Sequence, residues 1–199
     1  MELVQNNLLT PISNPYVVNF TLIGDPNGPE SDHGMLIREG TKGRFVNGVV
    51  AHFSEEGLKI DQSKTFKNLR QGELSFASII FDANGASLAR QQPNACDNQQ
   101  DTNDDAADAE NTCAQFQAGT SMDNVVNGDA GLRDAKAVWR DGKRANMRPK
   151  ANSWLLKAEN VADVPATRDS FFVQTDYVGA FANKNKQDWT RRWTTWVDN

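Results

Sequence analysis

Apolar positions in this chain fall in short runs, alternating or continuous, that are closed off by turn residues; an amphipathic helical period is scarce. Tyr16-Val17-Val18-Asn19-Phe20-Thr21-Leu22-Ile23 is rich in β-branched and aromatic residues. Asn14-Pro15 opens it and Gly24-Asp25-Pro26-Asn27-Gly28-Pro29 closes it, which predicts a strand followed by a loop of turn chemistry. Met35-Leu36-Ile37 predicts a short strand, Glu39-Gly40-Thr41-Lys42-Gly43 a turn, and Arg44 to Phe53 a second long strand. Leu58-Lys59-Ile60 and Thr65-Phe66-Lys67 repeat that pattern as two more short strands, and Gly72 to Asp82 contributes Leu74-Ser75-Phe76-Ala77-Ser78-Ile79-Ile80-Phe81. Gly131 to Arg140 reads as a short helix or an irregular edge coil, and Phe171-Phe172-Val173-Gln174 as a last strand.

The runs also repeat. Gly34-Met35-Leu36-Ile37 leads to Phe45-Val46-Asn47, and Gly57-Leu58-Lys59-Ile60 leads to Phe66-Lys67-Asn68; the glycines are 23 residues apart and the phenylalanines 21. The segments Val18–Ile23, Val46–Ala51 and Phe76–Phe81 align as well, with 28 residues from Thr21 to Val49 and 30 from Val49 to Ile79. Antiparallel hairpins need tight two-residue connections, which are missing here. Returns at this spacing predict an all-β fold in which a parallel sheet is wound as a solenoid of stacked coils. Asn19, Asn47 and Asn68 recur at related places and suit coil corners, because asparagine tolerates left-handed backbone geometry. The chain then reads as one domain, 1–199, with regular coils over 14–82, an acidic insertion over 83–119, and irregular last coils with a C-terminal cap over 120–199.

Composition narrows the function classes. The 199 residues suffice for a sizeable core, yet only 38% are hydrophobic, which suits many short strands and turns. A net charge of −5 argues against general attraction to nucleic acid or to an anionic membrane surface. No apolar run approaches the ~20 residues of a membrane span. Met1 is not followed by a basic start and an apolar core, so no signal peptide is expected; the chain as given reads as cytosolic unless an upstream part is missing.

The candidate chemistry is sparse. Cys96 and Cys113 stand at the two ends of an acidic, almost wholly polar stretch, and a disulfide between them would clasp that loop and imply export. Asp101, Asn103 and Asp105 place oxygen side chains at alternate positions, a start for a calcium site; Ala106 and Thr112 then break the EF-hand pattern, where Gly and Glu are needed. His33 stands beside Asp32, and His52 precedes Glu55 and Glu56; two histidines do not by themselves suggest zinc, so structural or surface roles are expected. Arg38, Glu39, Glu56, Lys59 and Asp61 are expected on one outer wall, where paired carboxylates would suit a polysaccharide hydrolase or lyase if their spacing allowed. Arg133, Lys136, Arg140, Lys143, Arg144, Arg148 and Lys150 form a basic stretch suited to an acidic polysaccharide or lipopolysaccharide. Trp154, Trp189, Trp193 and Trp196 suit stacking on sugars or, for the last three, an aromatic cap over the end of the solenoid.

Asp32-His33-Gly34-Met35-Leu36-Ile37-Arg38-Glu39-Gly40-Thr41, Gly57-Leu58-Lys59-Ile60-Asp61 and Asp176-Tyr177-Val178-Gly179-Ala180-Phe181, with Asp188-Trp189-Thr190 and Trp193-Thr194, resemble phrases of large exported proteins of Gram-negative bacteria, often lipoproteins. The likeness covers about 14–82 and 145–199. It implies a right-handed parallel β-helix, export to the extracellular space or the outer-membrane surface, and a chain that is the C-terminal part of a longer protein. It brings no catalytic residues and no cofactor beyond the calcium candidate above. The function expected is a non-catalytic structural or binding module for a glycan. The alternatives are a calcium-assisted polysaccharide lyase or hydrolase, and a self-associating fragment that forms a homodimer through its open N-terminal coil. No nucleic-acid partner is expected.

Overall fold

The computed structural model describes residues 10–29, 31–85, 112–119, 121–136, 145–164, 171–183 and 189–190. Four strands, β1 (Tyr16–Ile23), β3 (Arg44–Ala51), β5 (Ser75–Asp82) and β6 (Met122–Asn127), form one sheet in the order β1-β3-β5-β6, every neighbouring pair parallel. The short strands β2 (Met35–Ile37) and β4 (Leu58–Ile60) form a second parallel sheet. The chain therefore visits the two sheets alternately over its first part: β1 and β2, β3 and β4, then β5 again on the first sheet. A small antiparallel pair, β7 (Leu132–Asp134) with β8 (Asn146–Pro149), follows.

Each long strand carries one residue in the left-handed region: Asn19 (φ 52°), Asn47 (φ 56°), Ser78 (φ 52°) and Asn124 (φ 49°). These four lie level with one another across the sheet, between paired residues such as Val18↔Val46↔Ala77↔Asp123 and Phe20↔Gly48↔Ile79↔Val125. The corner shifts the pleat by one position. Phe76 and Ile79 can thus both face the interior, three residues apart, where strict alternation would put them on opposite faces.

The interior between the sheets is filled by Met35, Ile37, Val50, Leu58, Ile60, Phe66, Leu69, Leu74, Phe76, Ile79, Phe81 and Met122. Phe45 stacks on Phe76, ring centroids 5.4 Å apart, directly across the β3–β5 pairing. Neighbouring segments approach closely at Gly34, where a Cβ would collide with Val50 and lie 2.7 Å from the Gly57 carbonyl. That crowding is the physical content of the repeated glycine.

Several expectations need correction. Thr21 pairs with Val49 as the 28-residue spacing requires, but Val49 pairs with Ile80, one residue beyond the expected Ile79. The left-handed corner sets the register, and Ser78 occupies it in β5 where an asparagine search finds nothing. Thr65-Phe66-Lys67 is not a strand. It lies inside a helix, α1 (Ser63–Arg70), which puts Phe66 and Leu69 side by side in the core. Asn68 is not a strand corner; from α1 it donates to the Gly40 carbonyl at 2.7 Å and the Thr41 carbonyl at 3.2 Å, while Thr65 Oγ1 accepts from Gly40 N–H at 3.0 Å. The 23-residue repeat therefore holds from Gly34 to Glu39 and ends there. The chain takes a short loop from Glu39 to β3, and inserts a helix after the equivalent Gln62 on its way to β5. Phe171–Gln174 forms no strand: Phe171 is 81% and Val173 75% exposed. Gly131 to Arg140 contains strand β7 in its described part.

The sheet's other face is apolar too. Val49, Ala51 and Ile80 point away from the interior and form a second core with Ala130, Leu132, Ala135, Leu155 and Val178. The corner asparagines tie down the C-terminal segment that supplies Leu155 and Val178. Asn19 Nδ2 donates to Thr175 Oγ1 (2.9 Å) and the Tyr177 carbonyl (3.0 Å). Asn47 accepts from Ala162 N–H and donates to the Ala162 carbonyl, both at 2.9 Å. Gly179 sits so close to the sheet that a Cβ would meet Thr21 Oγ1 at 3.0 Å and Val49 Cγ2 at 3.1 Å. The described C-terminal segment thus crosses the sheet's outer face. Trp189 stacks on Phe181 at 5.6 Å and donates from Nε1 to the Ala180 carbonyl at 2.9 Å; Trp193 and Trp196 lie outside the described residues.

Candidate functional site

Where β3 and β5 end, the chain leaves the sheet through two more left-handed residues, His52 (φ 64°) and Ala83 (φ 51°), which are level because Ala51 pairs with Asp82. His52 N–H donates to the Asp82 carbonyl at 3.0 Å, which holds the two exits together. On the next coil the chain passes from β6 through Asp129 to β7, and β8 returns alongside. A cavity of about 370 Å³ lies among these elements, lined by His52, Asp82, Asp129, Arg133, Lys136 and Lys150, with Leu132 and Ala135 at its apolar side.

The polar groups of this cleft are positioned by the backbone. Asp82 Oδ2 accepts from Ala130 N–H at 3.1 Å, and Asp129 Oδ1 accepts from Gly131 N–H at 2.6 Å. Arg133 Nε donates to the Pro149 carbonyl at 3.2 Å and a second guanidinium nitrogen to Asn183 Oδ1 at 2.5 Å, which spans β7, β8 and the C-terminal segment. Arg133, Lys136, Lys150 and Asp129 are exposed, His52 is buried and Asp82 half-buried. Asp134 also lines the cleft, which therefore has a wet rim of mixed charge, with Arg133, Lys136 and Lys150 facing Asp129, over a drier floor.

Burial shifts both floor groups toward neutrality. Loss of solvation, helped by the positive charge of Lys136 and opposed by Asp129, lowers the His52 pKa to about 4. Burial also raises the Asp82 pKa; the Ala130 N–H opposes this, Asp129 adds to it, and Lys136 and Lys150 work against it. At neutral pH His52 is an uncharged imidazole, able to accept or donate a hydrogen bond.

A pH dependence of stability follows. Between the unfolded value of 6.5 and the folded value of about 4, the unfolded chain takes up a proton that folded His52 refuses. The His52 contribution is complete above pH 6.5 and is lost as pH falls toward 4. Asp82 acts in the opposite sense, favouring the fold at low pH and losing that contribution as pH rises from 3.8 through its raised value. The unfolding free energy of the wild type should therefore fall on acidification below 6.5, and His52→Asn, neutral and tolerant of the left-handed backbone, should reduce that fall by roughly 1 to 3 kcal/mol. An unchanged fall would show that His52 is solvated.

The residues singled out in the sequence fall unevenly on this geometry. Arg133, Lys136 and Lys150 of the basic stretch converge on the cleft; Arg148 turns instead to Asn146 Oδ1 at 3.1 Å; Arg140, Lys143 and Arg144 lie outside the described residues. Arg38, Glu39, Glu56, Lys59 and Asp61 do not make one outer wall, since Glu56 and Asp61 are buried. Glu55 and Glu56 stand against His33. The calcium candidates Asp101, Asn103 and Asp105 lie outside the described residues. So does Cys96; Cys113 sits on the short helix α2 (Thr112–Ala118) and is disulfide-bonded. Asp82 and Asp129 were missed because nothing local marks them; their role arises from pairing across coils.

Among the described residues no helix is long and apolar enough to cross a membrane. Comparison with curated proteins and with solved structures finds no match. The family model described as a pectate-lyase like beta helix domain matches residues 2–144, which include β1 to β7 and the cleft residues His52, Asp82, Asp129, Arg133 and Lys136. With most of its length matched, and with the parallel pairing of β1, β3, β5 and β6, the chain belongs to the family of pectate-lyase-like β-helix domains.

Proposed function

We propose that this domain is a polysaccharide-binding module that holds an acidic sugar residue in the cleft between His52 and Lys150. The observation that carries the reading is the convergence of Arg133, Lys136 and Lys150 on one cavity in a chain of net charge −5. Lysine ammonium groups at the rim suit a uronate carboxylate, and the neutral His52 and hydrogen-bonded Asp82 and Asp129 suit sugar hydroxyls. A polysaccharide-related role fits the family. The same reading takes the parallel coils as a right-handed β-helix and places the protein outside the cell or on its surface, where such a polymer is met.

Binding of uronic-acid oligosaccharides, measured by calorimetry against neutral oligosaccharides of equal length, tests this directly. Lys136→Ala and Lys150→Ala should each weaken uronate binding roughly five- to tenfold, and added salt should weaken it further. Equal affinity for neutral sugars, or no effect of either substitution, would overturn the reading. A lyase is the second reading, favoured by an uncharged imidazole beside a cationic Lys136. Release of unsaturated uronide ends, lost in His52→Asn, would replace the non-catalytic role with β-elimination.

A further inference from the structure

A second cluster lies away from the cleft, on the loops that enter β2 and β4. Residues 31–34 and 54–57 run side by side, joined by Ser54 N–H to the Ser31 carbonyl (2.8 Å), Glu55 N–H to the Asp32 carbonyl (2.9 Å) and Gly34 N–H to the Glu56 carbonyl (3.0 Å). The missing Cβ at Gly34 permits this approach. The arrangement sets His33 of one coil against Glu55 and Glu56 of the next.

His33 Nδ1 lies 3.2 Å from Glu55 Oε2 and 3.3 Å from Glu56 Oε2. The nitrogen is shut off from water, and neither contact has the alignment of a hydrogen bond. One ligand atom from each of the three residues lies within 4.8 Å of the others. Donors bound at 2.0–2.1 Å around a tetrahedral ion stand about 3.3–3.4 Å apart, close to the two separations found here. Glu56 is 5% exposed, which gives the cluster a dry side. The Glu55 side chain is 48% exposed, which leaves an open side for water or another oxygen ligand.

We propose that His33, Glu55 and Glu56 form a binding site for a divalent transition metal of the zinc type. Two carboxylates and one neutral imidazole balance a double positive charge. The imidazole favours zinc, copper or nickel over calcium, which takes six to eight oxygen ligands. The ion joins successive coils at the entry to β2 and β4, so its binding stabilises the fold.

The test uses the full chain, stripped with a chelator and titrated with Zn²⁺ by calorimetry and with Co²⁺ by visible absorption. One equivalent should bind, raise the melting temperature and give a low-symmetry cobalt spectrum, with excess Ca²⁺ unable to compete. His33→Ala and Glu56→Gln should each weaken binding at least tenfold, while His52→Asn, altering the other histidine, should leave it intact. Should either buried variant fail to fold by circular dichroism, Glu55→Gln at the exposed position carries the same expectation. No saturable binding, binding that persists in the folded variants, or equal competition by Ca²⁺ would overturn the proposal.

Discussion

Phe66→Ala should lower the unfolding free energy by about 3 to 5 kcal/mol, and Leu69→Ala by about 2 to 5 kcal/mol, in urea titrations. Both side chains are fully buried in the core between the two sheets. Each truncation removes apolar surface from a close-packed interior and leaves a cavity that β2, β4 and β5 cannot fully close. The pairing of the two results is the informative part. In a helix, residues three apart share a face; in a strand they point to opposite faces. Exposed Lys67→Ala, on the same element, should stay within about 0.5 kcal/mol. A near-neutral Leu69→Ala would contradict the helical placement and restore a strand at Thr65-Phe66-Lys67.

Asn47→Ala is expected to cost about 2 to 4 kcal/mol, and the loss should be felt in the C-terminal segment. Asn47 is fully buried, stands at φ 56°, and makes both a donated and an accepted hydrogen bond with the backbone of Ala162. Alanine both disfavours the left-handed backbone and leaves the Ala162 amide and carbonyl without these partners. Asn47→Gly separates the two effects: glycine accepts the backbone angle, so what remains of the loss is the amide's share. Hydrogen exchange should show faster opening around residues 160–164 and 175–180 in both variants. Loss spread evenly over the sheet, with the C-terminal segment no faster than in the wild type, would count against the clamping role.

The left-handed corners also separate the elements that are legible in the sequence from those that are not. Strand β1, β2, β3 and most of β5 were visible as β-branched runs between turn residues, and Thr21 opposite Val49 followed from spacing alone. The register of β5 slipped by one because Ser78 takes the place that asparagine holds in β1, β3 and β6. The helix α1 was hidden because Thr65 and Phe66 favour strands, whereas burial of Phe66 and Leu69 together decides the outcome. The apolar outer face of Val49 and Ile80 could not be told from an ordinary buried strand until Leu155 and Val178, distant in sequence, were seen to cover it.

The site was less legible than the fold. The basic stretch marked Lys136 and Lys150 as a feature of composition, but their convergence with His52 and Asp82 depends on the order in which coils stack. His52 precedes Glu55 and Glu56 by only three and four residues. The left-handed turn at His52 sends the chain out over the cleft, and the loop brings the glutamates back to His33 of the preceding coil. Proximity along the chain is a poor guide in a structure built from returns of 23 to 46 residues.

The two histidines offer the most direct test of the function assigned to the cleft, because they are the chain's only ones and stand at different sites. Imidazole resonances can be followed by nuclear magnetic resonance while a uronic-acid oligosaccharide is added to the chelator-treated protein. The His52 signals should shift saturably, the His33 signals should stay in place, and a neutral oligosaccharide should move neither. A titration in which the uronate leaves His52 unmoved, or in which only His33 responds, would contradict the assignment of the cleft as the acidic-sugar site.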